Sequence, residues 1–367
     1  MHMADALLST TVGAAMCAVS AAAIGYSIAK IKNNELTEKK IPIMAIAGAF
    51  VFAAQMINFT IPGTGSSGHI GGGILLAALL GSFPALLTIS SVLMIQCLFF
   101  SDGGLLALGC NIFNLGVVPC LIVYPLLFKP IAAKQLSANN ICMASIIAAI
   151  LSLQLGAFGV VLQTQASGIT ALPFKTFTIL MQSIHLAIGV VEGIITAGVL
   201  RFVFKIEPQI LENANAGAAA GKAGKTISVM EKTKKAGKTI SATKIVVITL
   251  IAITVVTGGI LSIFASSNPD GLEWAIEKTA GEELETQEPL METLSRIQDT
   301  TAIMPNYDYK SSGNEENSAG GISTGTSVAG IIGSAMTFLF AAAIALIISV
   351  VKKKKRRAFC RLQIKRN

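Results

Sequence analysis

Charge is what this sequence has least of. Only 13% of its 367 residues are Asp, Glu, Lys or Arg, about half the ~25% usual for a soluble domain, and that excludes an ordinary cytosolic enzyme. The six cysteines (Cys17, Cys97, Cys110, Cys120, Cys142 and Cys360) show no C-x-x-C spacing. Five of them lie in or near apolar blocks, where Cys behaves as a small apolar residue, so no disulfide framework is indicated. Histidine occurs three times, as His2, His69 and His185. No Ser/His/Asp set or carboxylate pair suggests catalysis, and an enzyme is not expected.

Against these absences stands a hydrophobic content of 53%, gathered in long blocks with few charges. One such block of 18 or more residues reads as a membrane span. The chain is therefore expected to be an all-α polytopic membrane protein, with its 34 glycines serving close helix packing or irregular backbone around a buried site. Nine apolar runs are candidate helices, at about 5–29, 43–60, 71–82, 85–100, 104–128, 140–166, 174–204, 245–265 and 328–351. The third is short, opened by Gly71-Gly72-Gly73 and broken at Ser82-Phe83-Pro84, and suits a tilted or partial crossing.

The net charge of +8 invites a nucleic-acid reading, but the cations flank apolar blocks rather than forming one face. With nine crossings and the Lys352–Arg357 run inside, 24 of the 28 Lys and Arg lie inside or at an inner helix end. Only Lys175, Lys278, Arg296 and Lys310 are left outside. That is the positive-inside pattern. It places the N-terminus outside, the C-terminus in the cytoplasm, and the protein in the cell (plasma) membrane. Segment 266–327, with twelve acidic residues against three basic ones, becomes an external loop. The start, Met1-His2-Met3-Ala4-Asp5, lacks the basic n-region of a signal peptide, so the N-terminus is expected to be retained.

Residues 205–244 are rich in Ala, Gly and Lys, a linker composition. They separate a seven-helix unit, 1–204, from a two-helix unit, 245–351, followed by a basic tail, 352–367. The simplest arrangement is two modules end to end. Gly224-Lys225-Thr226 in the linker is only loosely like a P-loop, because position 219 is Ala where the motif needs Gly and no buried strand precedes it. No nucleotide is expected on this chain.

His2 follows a free amino terminus. The α-amine of Met1, the His2 amide nitrogen and the His2 Nδ1 can close two adjacent small chelate rings around one metal. A fourth nitrogen would complete a planar N4 set, the geometry suited to Ni(II) and Cu(II). His69, in Pro62-Gly-Thr-Gly-Ser-Ser-Gly-His69-Ile-Gly-Gly-Gly73, is the natural donor, since the inferred topology puts it on the same side as His2. The glycines allow this loop to fold back into the helix bundle, where irregular backbone is tolerated if protein surrounds it. Because the donors must lose protons, metal affinity should fall below pH ~6.5. His185 lies mid-span, where an interhelical hydrogen bond is its simplest role; Glu192, two turns on, suits packing or coupling to a partner. Asp102-Gly103-Gly104 reads as a tight external turn.

These residues resemble the NikM/CbiM substrate-binding components of nickel and cobalt energy-coupling factor (ECF) transporters. The resemblance rests on Met1-His2-Met3-Ala4-Asp5, Phe52-Ala-Ala-Gln55-Met-Ile-Asn58-Phe, Gly68-His69, Gly71-Gly72, Asp102 to Asn111 and His185 to Gly193. Asn268-Pro269-Asp270-Gly271-Leu272-Glu273-Trp274 is similar to the Pro-Asp-Gly-Leu-Glu signature of a NikN-type accessory module. The resemblance implies a seven-helix S-component that captures Ni(II) from outside through Met1, His2 and His69. It also implies partners, namely a transmembrane coupling (T) subunit and cytoplasmic ATPase subunits. Cobalt uptake for corrinoid synthesis is the alternative within this class, and an ATPase-independent permease or membrane scaffold the alternative outside it.

Overall fold

The computed structural model describes residues 2–31, 36, 40–134, 136–215, 242–280, 289–309 and 324–364. Met1, most of the Ala/Gly/Lys linker with its Gly224-Lys225-Thr226 motif, and the end of the basic tail lie outside the described residues. Among the described residues, seven helices are long and apolar enough to cross a membrane, and the chain is a multi-pass membrane protein.

The N-terminal arm, residues 2–9, is not part of the first span. It runs extended apart from a short turn at Asp5–Leu7, and helix α1 begins only at Thr10–Lys30, where Ser9 caps it by accepting from the Val12 N–H. Helix α2, Lys40–Gln55, has almost every residue from Ile43 onward buried, as expected of a helix that is apolar all round. It stops well short of the expected residue 60. The chain instead forms a two-stranded antiparallel ribbon, β1 (Phe59–Ile61) and β2 (Ser66–Gly68), with Phe59 opposite Gly68 and Ile61 opposite Ser66. Its tip is Pro62-Gly63-Thr64-Gly65, in which both glycines take positive φ.

Helix α3, Gly73–Leu80, has eight residues, all buried. At ~1.5 Å per residue it spans about 12 Å and cannot cross a ~30 Å hydrocarbon layer alone. At Gly81, φ +83, the chain turns directly into α4, Ser82–Phe100.

The next crossing comprises α5 (Leu108–Ile112), a π-wound stretch (Phe113–Phe128) and α6 (Lys129–Lys134). Pro119 and Pro125 lie within the π-wound stretch, where each removes an N–H donor from the ladder and crowds the preceding turn. Helices α7 (Ala138–Ser167) and α8 (Phe174–Ile206) form a long hairpin, after which α9, Pro208–Asn215, closes the first unit.

The second unit contains α10 (Ala242–Gly259), α11 (Gly271–Ala280), α12 (Pro289–Thr301) and α13 (Thr324–Ile364). Two findings add to the expected picture. First, α10 and α13 lie against α2. A Cβ on Gly333 would come within 2.0 Å of the Phe52 ring, one on Gly258 within 3.4 Å of Ala53, and one on Gly330 within 2.2 Å of the Gly258 carbonyl. Such small-residue contacts are how helices approach closely where lipid supplies no hydrophobic drive. Second, the segment expected as an external loop contains helices. Asp270 caps α11 by accepting from the Leu272 and Glu273 N–H groups, and Glu273 accepts from the Asp270 N–H. The Pro-Asp-Gly-Leu-Glu signature is thus a reciprocal capping box with Asp in the usual Ser/Thr place.

The two ends of the described chain lie on opposite faces of the bundle. His2 meets Asp102 beyond the end of α4, whereas Lys352 donates to the Ile31 carbonyl at the far end of α1.

Candidate metal centre

The site is built around the N-terminal arm, which is stitched to the segment between α4 and α5. Gly104 N–H donates to Met3 C=O at 2.9 Å, Met3 N–H to Asn111 Oδ1 at 2.8 Å, and Asn111 Nδ2 back to Met3 C=O at 3.2 Å. Asp5 accepts from the Ala107 N–H at 2.9 Å. Met3, Leu7 and Leu8 are buried, so burial of roughly 2 kcal/mol per large side chain adds to these bonds.

The Asp102-Gly103-Gly104 turn is more than a connection. A Cβ at Gly104 would lie 1.8 Å from Asp5 Oδ1, and one at Gly103 would lie 2.8 Å from Asn111 Nδ2. Glycine here makes room for the arm.

The fold brings His2 and His69 together, with ring centroids 5.0 Å apart and planes tilted by 35°. His69 Nδ1 lies 3.0 Å from its neighbour's carbonyl, Ile70 C=O. Donation to that oxygen places the imidazole lone pair on Nε2. Met1, the remaining expected donor, lies outside the described residues.

One detail departs from the sequence expectation. His2 Nδ1, the nitrogen a two-ring chelate would use, bonds Asp102 Oδ1 at 2.7 Å, while His2 Nε2 is buried without a hydrogen-bond partner. Burial acts to raise the Asp102 pKa, but the His2 charge and bonds from His2 and Tyr307 outweigh it and hold the carboxyl down at about 2. Burial and this carboxylate in turn push the Tyr307 phenol well above its ordinary value. Among the described residues no group of three or more His, Cys, Asp or Glu could hold a metal ion.

The His69 loop is fixed from two sides. Gln55 Nε2 donates to Gly71 C=O at 2.9 Å, and Gln96 Nε2 holds Gln55 Oε1 at 2.9 Å. From α8, the Glu192 carboxylate accepts the N–H groups of Gly71 and Gly72 at 2.7 and 3.0 Å. His185, on the same helix, bonds within α8, its Nδ1 to Met181 C=O at 2.8 Å, and among the described residues makes no interhelical bond.

The second unit roofs the site with two arms. In the first, Ser67 N–H donates to Pro269 C=O, Ser67 Oγ to Asn268 C=O and Trp274 Nε1 to Thr64 C=O, at 2.8, 2.8 and 2.9 Å. In the second, Gln298 Nε2 donates to Gly103 C=O at 2.7 Å and Ile303 N–H to Phe99 C=O at 2.9 Å. Tyr307, stacked on Phe100, donates its hydroxyl to Asp102. Beneath the roof is a cavity of about 870 Å³ whose lining includes His2, His69, Asp5, Asp102, Asp270 and Glu273. Four carboxyl groups around two imidazoles favour a cation over an anion.

Sequence reasoning passed over Asn111, Gln298 and Tyr307 as site residues. Amides and a phenol carry no spacing signal of their own, and two of the three come from the other unit.

Comparison with known proteins agrees with this architecture. Residues 2–210 match the family described as the cobalt uptake substrate-specific transmembrane region, CbiM, and residues 244–350 match the PDGLE domain. A protein of Archaeoglobus fulgidus named as a NikMN-type fused nickel transport protein is 35% identical over 222 residues, covering 60% of this chain and 70% of that one. The fused nickel transport protein NikMN of Rhodobacter capsulatus is 31% identical over 237 residues, covering 60% and 66%. A crystal structure described as a transition metal transporter superposes with a TM-score of 0.50 at 26% identity, over 60% of this chain and 100% of that one. The chain therefore belongs to the CbiM family of membrane components of nickel and cobalt transport, with a PDGLE domain following its substrate-specific region.

Proposed function

We propose that the N-terminal arm and the His69 loop together form the capture site for Ni(II) arriving from outside the cell. The observation that carries this reading is the meeting of His2 and His69, 67 positions apart in sequence, with rings 5.0 Å apart on an arm pinned by four hydrogen bonds. The Met1 α-amine, the His2 amide and imidazole, and the His69 imidazole would supply four nitrogens. Binding would require the His2 Nδ1 bond to Asp102 to be exchanged for the metal. Asp102 would keep Tyr307 as its partner.

The orientation follows from charge: the face bearing His2 is outside and the basic ends are cytoplasmic. On this reading the chain works as the substrate-specific component of an ATP-driven ECF importer. A transmembrane coupling subunit and ATPase subunits would provide the driving force. Cobalt is the second reading, because the matching family is described by cobalt uptake; a planar all-nitrogen set favours nickel.

Purified protein titrated with Ni(II) is expected to bind one equivalent with a d–d absorption of planar character, lost on His69→Ala or on adding one residue before Met1. Binding that survives both changes would remove the site. Competition with Co(II) in the same titration decides between the metals. Uptake by cells that persists when ATP hydrolysis is blocked would remove the ATP-driven reading.

A further inference from the structure

A carboxylate in the interior of a membrane helix is costly unless something compensates it, and such a residue usually has a task. Glu192 on α8 is 2% exposed, and its partners are the backbone N–H groups of Gly71 and Gly72, one to each oxygen, at 2.7 and 3.0 Å. These two donors are the N–H groups of the α3 N-cap, Gly72, and of the residue before it, in the irregular stretch that leads into the helix.

A local Ser, Thr, Asp or Asn side chain at the N-cap is excluded here. The N-cap, Gly72, has φ +77, and a Cβ there would lie 2.5 Å from Val51 Cγ1; at Gly73 it would lie 2.4 Å from Pro119 Cγ. The packing that lets the loop enter the bundle forbids a local cap. Glu192 instead binds the two amides just ahead of α3 from another helix, its negative charge favoured by the positive end of the α3 dipole.

The consequence reaches His69. Only Ile70 separates His69 from the first of the two amides. One face of α8 serves the whole loop: a Cβ on Gly68 would lie 2.5 Å from Ile188, one turn before Glu192. Gln55, holding the Gly71 carbonyl from α2, fixes that same peptide from the other side.

We propose that Glu192 is the positioning residue of the metal site: it does not touch the metal but sets where His69 stands by clamping Gly71 and Gly72. This rests on the reading that His69 is a donor. Residues that orient metal ligands from behind typically change affinity by ~10–100-fold when altered, and that is the range expected for Glu192→Gln. The amide keeps the volume, but its NH2 would face a backbone donor, so one N–H loses its acceptor.

The test titrates Ni(II) into the wild type, Glu192→Gln and His69→Ala, following affinity and the position of the d–d band, with thermal unfolding in parallel. Expected are a ~10–100-fold weaker site and a shifted band in folded Glu192→Gln protein. A purely structural role would lower the unfolding midpoint and leave affinity and band unchanged in the folded fraction, which would overturn the proposal. If the wild type fails to bind, or His69→Ala binds as the wild type does, the metal-site reading itself has failed instead. Should Glu192→Gln not fold, Glu192→Asp keeps the charge with one methylene less reach; the same weakening and band shift support the clamp, and wild-type values for both refute it.

Discussion

Asn111 offers the most direct test of how the N-terminal arm is held. Its amide is 3% exposed and makes both polar contacts of a strand partner toward Met3, accepting the N–H at 2.8 Å and donating to the C=O at 3.2 Å. Asn111→Ala removes both. The Met3 carbonyl keeps the Gly104 N–H, but the Met3 N–H loses its acceptor in a buried place. An orphaned buried donor costs about 1–3 kcal/mol.

That cost falls on the docked arm alone, because an undocked arm can bond water. On the reading that metal capture needs the arm docked, apparent affinity falls with the docked fraction, by the whole penalty where the undocked arm comes to prevail. At about 1.4 kcal/mol per factor of ten, Ni(II) binding should then weaken by up to roughly 5- to 150-fold. Isothermal titration in detergent or nanodiscs measures this, with the unfolding midpoint as a control on the bundle. An Asn111→Ala protein that binds within twofold of the wild type, while His69→Ala does not bind, would refute the idea that this amide places the arm.

Two further predictions concern the same architecture. Gly104→Ala puts a Cβ 1.8 Å from Asp5 Oδ1, so it should displace the arm and weaken Ni(II) binding by roughly 5- to 150-fold, as for other steric conflicts costing about 1–3 kcal/mol; an unchanged titration would contradict the close approach. Trp274→Phe deletes the bond from Nε1 to the Thr64 carbonyl, a loss of about 0.5–1.5 kcal/mol. Amide exchange in 266–280 should quicken about 2- to 12-fold; exchange at the wild-type rate would show that the first arm of the roof is held by other contacts.

How much of this was legible in sequence depends on range. The long apolar runs announce their helices because each must satisfy its backbone within itself in lipid. α3 is the exception: its length is set by Gly81 and by the loop that precedes it, so the run 71–82 overstates it. The end of α2 is obscured for a related reason, since Ile57, Phe59 and Ile61 continue the apolar pattern beyond Gln55 yet lie in a ribbon that packs against the second unit.

The site divides in the same way. His2 and His69 stood out because histidine is rare here and both fall on one side of the charge pattern. Glu192 stood out as a buried acid, but nothing in its neighbourhood on α8 names Gly71 and Gly72 as its partners. Asp102 looked like a turn residue, and is one, yet it also holds His2 and Tyr307 from two distant parts of the chain.

The sequence by itself determined that this is a helical membrane protein, because hydropathy is a local property summed along the chain. It also determined the candidate donors, because amine, amide and imidazole chemistry belongs to the residues themselves. Only the tertiary structure decided what holds those donors. The partners of the arm, the loop and the roof are backbone groups and amides far away in sequence, and their choice depends on which helices pack together.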